Sequence, residues 1–560
     1  MSFEGDSRHS HRLWHSARRR SRSGRKRPLR LPLLVVVAAA VVAVVVLDQP
    51  PSAGQQRLAV VARFDAAWTR GNYGGMYAEL RPTVRRRISL QAFAAAYRGA
   101  ARTAGLTAIT LSDATATGDH VVVHARVATH AFAVFDQPVS FTVSLAAGDR
   151  GIAWSARDRF PGLRGSEQLT VRLVAGRRGA ILAGNGTLLS PTSNGTYPLG
   201  VAGELIAGQL GRSTDGLPVG VSGLEQVYNT ILTGTPGQQL WLGERLVAAT
   251  PPRAGVTVRT TIDPQLQQAA TAALGSRYGA IAVVRPSTGA VLALAGIALS
   301  SAQPPGSTFK IITATAALQG GFASLASSYP LERSTTVDGY TLHNADGEAC
   351  GGTLLNAFAV SCNSVFVPLG ARIGAARLVA TADAYGFNRT PRVADELPST
   401  LPGAGTIGDA LAVGSSAIGQ GRVLATPLEM ATVAATVADG GMRARPRLLA
   451  SLPVITQQVT TPLVAGELRE LMLAVVAHGT GTAVAIPGVP VAAKTGTAEL
   501  ENGPSTASNP SNTDAWFVAF PAVARPPVAV AVMLVRDGAG GQAAAPLARQ
   551  VLLTALHKRS

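Results

Sequence analysis

Pro305-Gly306-Ser307-Thr308-Phe309-Lys310 decides how this chain reads. Behind it, Ile311 to Leu318 is apolar apart from two threonines, and Gly320-Gly321 stops the run. The pattern predicts a helix of about a dozen residues opening at Ser307. Ser307 and Lys310 stand three apart, so a helix puts their side chains on one face. A serine hydroxyl becomes a nucleophile when a base takes its proton, and a neutral amine can be that base. Burial and cationic neighbours are what lower a lysine pKa. A serine at a helix N-terminus also has backbone N–H groups close by for a developing oxyanion.

An isolated S-x-x-K is a weak signal, usually an exposed serine and an unrelated lysine on one turn. Lysine usage strengthens it. Of 50 Lys plus Arg, four are lysine: Lys26, Lys310, Lys494 and Lys558. Lys26 falls in a basic tail and Lys558 at the C-terminus, which leaves Lys310 and Lys494 as the lysines of the folded body. Arginine is effectively never deprotonated, so these two positions point to a task that needs an amine. Lys494 sits in Lys494-Thr495-Gly496-Thr497, and between the two lysines lies Ser361-Cys362-Asn363.

The order S-x-x-K, S-x-N, K-T-G, spaced 54 and then 133 residues, resembles the penicillin-binding protein and serine β-lactamase superfamily, and its class B penicillin-binding proteins in particular. That resemblance implies an α+β, multidomain chain ending in a transpeptidase domain with an antiparallel sheet flanked by helices. It implies the following roles. Ser307 attacks the penultimate D-Ala carbonyl of a stem peptide and Lys310 accepts its proton. Ser361 relays a proton to the leaving amine, and Asn363 binds the donor amide and holds Lys310. Lys494 supplies positive potential for the substrate carboxylate, which the Thr495 and Thr497 hydroxyls bind. Gly496 lets a ligand pack close to the strand. The N–H groups of Ser307 and Thr497 form the oxyanion hole. β-Lactams would be trapped as acyl-enzymes, and neither metal nor cofactor is called for. In one respect the chain departs from relatives: the segment before Pro305-Gly306 is short and lacks the usual aromatic or acidic residue, so the cleft rim is expected to differ.

The net charge of +18 would suit nucleic acid, but its distribution argues for a topology signal instead. Residues 1–30 hold ten Lys/Arg against Glu4 and Asp6. Leu31 to Leu47 then runs for seventeen residues without a polar side chain, about 26 Å as a helix against a bilayer core of about 30 Å. Basic residues before it and Asp48 after it predict a single-pass anchor with a cytoplasmic N-terminus and residues 48–560 outside. The alternative is a cleaved signal peptide, for which the residues after Leu47 make a poor cleavage site. Cys350 and Cys362 are the only cysteines. In an oxidising space they are a candidate disulfide, with two buried thiols as the alternative.

In chain order, 1–30 reads as the basic tail, 31–47 as the anchor and 48–54 as a linker. Residues 55–163 follow as helices (Leu58 to Arg70, Gln91 to Ala101) and then strands (Leu106 to Leu111, His120 to Thr129, Gln137 to Ala146, Gly151 to Asp158). This region resembles the NTF2-like N-terminal domain of low-affinity, methicillin-resistance-type penicillin-binding proteins. The residues that carry the likeness are Phe64 to Trp68, Ser89 to Tyr97 and Trp154 to Leu163. His120, His124 and His130 read as strand residues rather than metal ligands. Residues 164–254 resemble the pedestal or dimerisation domain, through Arg178 to Gly186, Gly223 to Gln226 and Tyr228 to Gly234. Residues 255–558 read, on the same resemblance, as the transpeptidase domain. It opens with a helix, Pro264 to Leu274, and a hairpin, Tyr278 to Val284 with Ala290 to Ala295. A mostly helical stretch runs on to Gly440, and strands Val489 to Ala498, Trp516 to Phe520 and Val528 to Val535 precede a closing helix, Gln542 to His557.

The expected function is a monofunctional peptidoglycan D,D-transpeptidase, acting on D-Ala–D-Ala stem peptides in company with a glycosyltransferase partner. The alternatives are a D,D-carboxypeptidase with the same motifs, or a catalytically weak β-lactam-binding sensor or scaffold.

Overall fold

The computed structural model describes residues 51–500 and 510–557. The stretches 1–30 and 31–47, expected to be a basic tail and an anchor, fall outside the described residues. Among the described residues no single helix is long and apolar enough to cross a membrane. The chain forms two compact units, one of residues up to Ala128 with Val134–Glu167, the other of Thr129–Ala133 with Gln168 onward.

In the first unit, α1 (Ala53–Thr69) begins inside the segment read as a linker, because Ser52 and Gln55 form a reciprocal capping box. It buries Val60, Val61, Phe64, Ala67 and Trp68. Ser89 caps α2 (Leu90–Ala104), which ends at Gly105 in the left-handed region (φ 62°). Strands β1 (Leu106–Thr117), β2 (His120–Thr129), β3 (Phe135–Ser144) and β4 (Gly151–Ile152) form a sheet in that order. Along β2 the buried Val121, Val123, Ala125 and Val127 alternate with exposed residues, which puts His120 and His124 on the solvent side. Among the described residues no His/Cys/Asp/Glu group could hold a metal. The strand expected over Gly151 to Asp158 stops after two residues. Ser155 N–H donates to Asp158 Oδ2 (2.7 Å) and turns Ala156–Arg159 into a 3-10 helix. The helix–sheet core is aromatic, with Phe93 and Trp154 centroids 5.2 Å apart and Tyr97 O–H donating to Asp158 O (2.9 Å).

The second unit opens with β5 (Leu169–Val174), β6 (Gly237–Leu242) and β7 (Arg245–Thr250), an antiparallel sheet in the order β7-β6-β5. Arg178 is paired with the buried Glu225 and also donates to Asn229 Oδ1 (3.0 Å) and Thr233 Oγ1 (2.7 Å), tying the two short helices Gly223–Val227 and Asn229–Thr233 to the start of this segment. Ile181–Leu182 pairs in parallel with Val258–Arg259, and one apolar core runs from Ile181, Leu189 and Leu232 into the segment beyond residue 255.

That segment is built on five antiparallel strands: β8 (Gly279–Val284), β9 (Val291–Gly296), β10 (Val491–Glu499), β11 (Thr513–Pro521) and β12 (Ala529–Leu534), in the order β9-β8-β12-β11-β10. The strands read as near-continuous apolar runs because both faces are covered. On one face pack α3 (Pro264–Leu274), capped by Asp263 with proline at its start, and the closing helix Ala545–His557. On the other pack α4 (Lys310–Gln319), α5 (Asn363–Ile373), α6 (Pro427–Ala438) and α7 (Pro462–Ala477).

The stretch read as mostly helical also contains strands. Ser328–Glu332 pairs with Cys350–Thr353, and Ser334–Val337 with Tyr340–His343. The second pair turns at Asp338 (φ 46°) and Gly339 (φ 81°), the two left-handed residues of a tight hairpin.

Candidate active site

The three sequence motifs meet where the N-terminus of α4 abuts the edge strand β10. Gly306–Phe309 forms a 3-10 turn that continues into α4 at Lys310. Thr308 Oγ1 caps the turn by donating to Pro305 O (2.7 Å), and Gly306 N–H donates to Gly419 O (3.0 Å). Gly306 has φ 52°, and a Cβ there would stand 3.1 Å from the Thr497 carbonyl. The residue before Ser307 therefore touches the last threonine of the Lys494 motif. Ser307 is half-buried, while Lys310 is fully buried.

Ser361 lies between the helix Leu354–Ala359 and α5, in the left-handed region at φ 62°. Such backbone is uncommon for a non-glycine residue. It turns both the Ser361 carbonyl and hydroxyl towards Lys310. Lys310 Nζ donates to Ser361 O (2.6 Å) and Asn363 Oδ1 (2.7 Å), and lies 3.4 Å from Ser361 Oγ. Asn363 is held in turn by its Nδ2 donating to His343 O (3.0 Å), a contact delivered by the unforeseen hairpin. Cys362 is bonded to Cys350, with Cα atoms 5.7 Å apart, so strand Cys350–Thr353 is fastened to the start of α5.

Lys494 projects from β10 into the same space. Its Nζ donates to Ser361 Oγ (2.9 Å) and to Thr495 O (3.0 Å). Ser361 Oγ thus sits between two amines. Both lysines are fully buried, and each Nζ lies 5.5 Å from an aromatic ring centre, Lys310 over Phe366 and Lys494 over Phe358. Among the described residues neither lysine has a salt bridge to a carboxylate. Burial holds the Lys310 pKa well below the ordinary lysine range and the Lys494 charge lowers it further. Burial alone brings Lys494 down to about 7.

Two positions differ from expectation. The Thr495 hydroxyl is nearly inaccessible and pairs with Thr480 Oγ1 at 2.6 Å. Thr497 is partly exposed and is the hydroxyl better placed to meet a ligand. Thr480 was missed in the sequence, where it is one threonine in a Gly-Thr-rich run with no chemical signature. The space beside Gly496 is taken by the protein itself, since a Cβ there would lie 2.7 Å from Pro305 O and 2.9 Å from Trp516 Cβ. Gly496 therefore brings β10 against the Ser307 turn, which is a packing role.

Chemically, a neutral Lys310 amine has two N–H groups and one lone pair. The two short bonds to Ser361 O and Asn363 Oδ1 account for both N–H groups and leave the lone pair free to accept a proton. Ser307 Oγ is not among the hydrogen-bond partners of Lys310 in this structure, and such contacts often close when substrate binds. Among the described residues β10 is the terminal strand of its sheet.

Residues 279–553 match the family model described as the penicillin binding protein transpeptidase domain. The chain is 37% identical over 410 residues to the peptidoglycan D,D-transpeptidase PbpA of Mycolicibacterium smegmatis, covering 60% of this chain and 80% of that protein. It is 37% identical over 408 residues to PbpA of Mycobacterium tuberculosis, covering 60% and 79%. Among solved structures it resembles penicillin-binding protein A of M. tuberculosis in its ceftriaxone acyl-enzyme complex (TM-score 0.58, 30% identity, 68% of this chain and 98% of that one). It also resembles the D,D-transpeptidase domain of a peptidoglycan glycosyltransferase from Eggerthella lenta (TM-score 0.58, 31% identity, 69% and 99%).

Proposed function

This chain belongs to the class B penicillin-binding proteins, and from that premise we propose that it cross-links peptidoglycan through a Ser307 acyl-enzyme that β-lactams also form. The observation that carries the proposal is the pair of fully buried lysines, without a carboxylate salt bridge among the described residues, that flank one serine hydroxyl. Ser307 Oγ attacks the carbonyl of the penultimate D-Ala, and its proton passes to the lone pair of Lys310. The tetrahedral oxyanion is met by the N–H groups of Ser307 and Thr497. Removing one such donor typically costs about a hundredfold or more in rate. Collapse breaks the peptide bond, and Ser361 relays a proton to the departing amine of the terminal D-Ala. Lys494 and Thr497 take the substrate carboxylate, and Thr480 positions Thr495 beneath it. The amine of a neighbouring stem then attacks the acyl-enzyme, forms the cross-link and regenerates Ser307.

The remaining architecture belongs to the same proposal. Residues 31–47 anchor the chain, the tail 1–30 stays in the cytoplasm, and residues beyond 48 lie outside, where the Cys350–Cys362 bond is chemically at home. Residues 55–163 form an NTF2-like spacer domain and 164–254 a pedestal before the transpeptidase domain at 255–558. A separate glycosyltransferase supplies the glycan strands. The test is full-length protein in detergent given a D-Ala–D-Ala stem peptide with and without an amine acceptor. Cross-linked product is expected with acceptor present. Release of D-Ala to water alone, at the same rate with or without acceptor, would make the chain a carboxypeptidase.

A further inference from the structure

Away from Ser307, the turn after helix Ala375–Tyr385, the loop around Arg392, the start of α6 and the strand Met442–Ala444 enclose a cavity. It leaves the centre of a water-sized sphere about 20 Å³ in which to move, above the ~10–15 Å³ that one water requires. Four arginines, Arg389, Arg392, Arg443 and Arg445, stand in its lining beside Glu396 and Glu429. Arg443 is buried (6% exposed) and gives Nη2 to both carboxylate oxygens of Glu429 at 3.0 Å, yet its buried Nε has no protein partner among the described residues. Arg392 gives Nη2 to Pro453 O (2.9 Å), and its buried Nη1 likewise has no protein partner among the described residues. A buried unpaired charged donor is costly, so two from different segments lining one cavity call for an acceptor. Gly386 makes room for the arrangement: at φ 122°, a Cβ there would fall 2.1 Å from Arg443 Nη2 and 2.6 Å from Glu429 Oε1.

We propose that this cavity is a binding site for a small phosphate-type oxyanion, held by Arg392, Arg443 and Arg445. Planar guanidiniums from separate segments that line one cavity suit the multiple acceptors of such a group. The charge balance agrees. Glu429 is spent on Arg443, and burial together with the Glu429 charge pushes the Glu396 carboxyl up to about 8 against the opposing pull of the Thr426 hydrogen bond and the Arg443 charge, which weakens it as a competing anion. The site would be felt at the nucleophile. The residues on either side of Gly386 both contact the Ser307–α4 segment: Phe387 packs edge-on against Phe309 (centroids 5.4 Å apart) and Tyr385 O–H pairs with Thr315 Oγ1 (2.9 Å). An anion that braces this turn braces the helix carrying Lys310.

The test is thermal unfolding of the full-length chain in detergent, titrated with sodium phosphate against sodium chloride at constant pH and ionic strength. Arg445→Gln and Arg392→Gln are compared, since among the described residues neither pairs with a carboxylate. Phosphate also stabilises proteins generally by exclusion from their surface, which shifts wild type and variants alike. The site predicts an additional, saturating rise in Tm in wild type that is reduced in both variants, while their penicillin acylation rates without phosphate match wild type. A phosphate response that is equal in wild type and variants, or that never saturates, would overturn the proposal.

Discussion

Replacing Lys494 by methionine should make the protein more stable while removing its activity, and the gain should depend on pH. Lys494 is fully buried and its pKa falls from 10.5 to about 7. At about 1.36 kcal/mol per pH unit, that difference is about 5 kcal/mol of preference for the neutral amine over the charged one. In the unfolded chain the amine is protonated up to its ordinary pKa. Between pH 7 and 10.5 the unfolded state therefore binds more protons than the folded state, and wild-type stability rises with pH through that window. Methionine is a near-isostere with no charge to bury. Its advantage is greatest at pH 7 and below, and closes as pH approaches 10.5. The bonds to Ser361 Oγ and Thr495 O are lost, each worth ~1 kcal/mol, so the net gain at pH 7 is about 1–4 kcal/mol, the range seen when buried charges are exchanged for apolar groups. Thermal or denaturant unfolding of both proteins from pH 6 to 10 reads this directly. A Lys494→Met protein less stable than wild type at pH 7, or a gap that stays constant to pH 10, would refute the account of Lys494 as a desolvated amine kept for function.

Ser361→Ala removes the hydroxyl between the two lysines, and the second-order rate of penicillin acylation should fall by about 10²–10⁴-fold with Tm little changed; stopped-flow or gel-based labelling measures it. Gly496→Ala puts a methyl against Pro305 O and Trp516 Cβ, so it should cost about 1–3 kcal/mol and slow acylation by displacing the Ser307 turn from β10. An unchanged Tm there would show that the strand has room to spare.

Much of the fold was readable because local chemistry and tertiary packing agree. Asp263-Pro264 opens α3 where a cap followed by proline should, and the continuous apolar runs at 279–284 and 529–534 became strands buried on both faces. Local hydrogen bonds overrode pattern at Gly151 to Asp158, where β-like residues gave way to the Ser155–Asp158 box. Residues 328–353 were hidden because their strands are short and largely exposed, leaving little apolar alternation; the Asp338-Gly339 pair was the signal that could have found the hairpin. In the site, lysine scarcity singled out Lys310 and Lys494 because arginine cannot be deprotonated there. What spacing could not convey was direction: that Thr495 turns inward to Thr480, that Gly496 serves the protein's own backbone, and that Ser361 is held at positive φ so that its carbonyl and hydroxyl address one amine.

The central claim is that Ser307 is the residue acylated, and covalent labelling tests it most directly. Full-length protein and Ser307→Ala, both in detergent, are incubated with a fluorescent penicillin, and the adduct is followed by gel and by mass spectrometry of the peptide containing Ser307. The account predicts a stable one-to-one adduct on Ser307 in wild type and none in the variant. An adduct that persists in Ser307→Ala, or a wild-type chain that neither labels nor cleaves a D-Ala–D-Ala thioester, would contradict it.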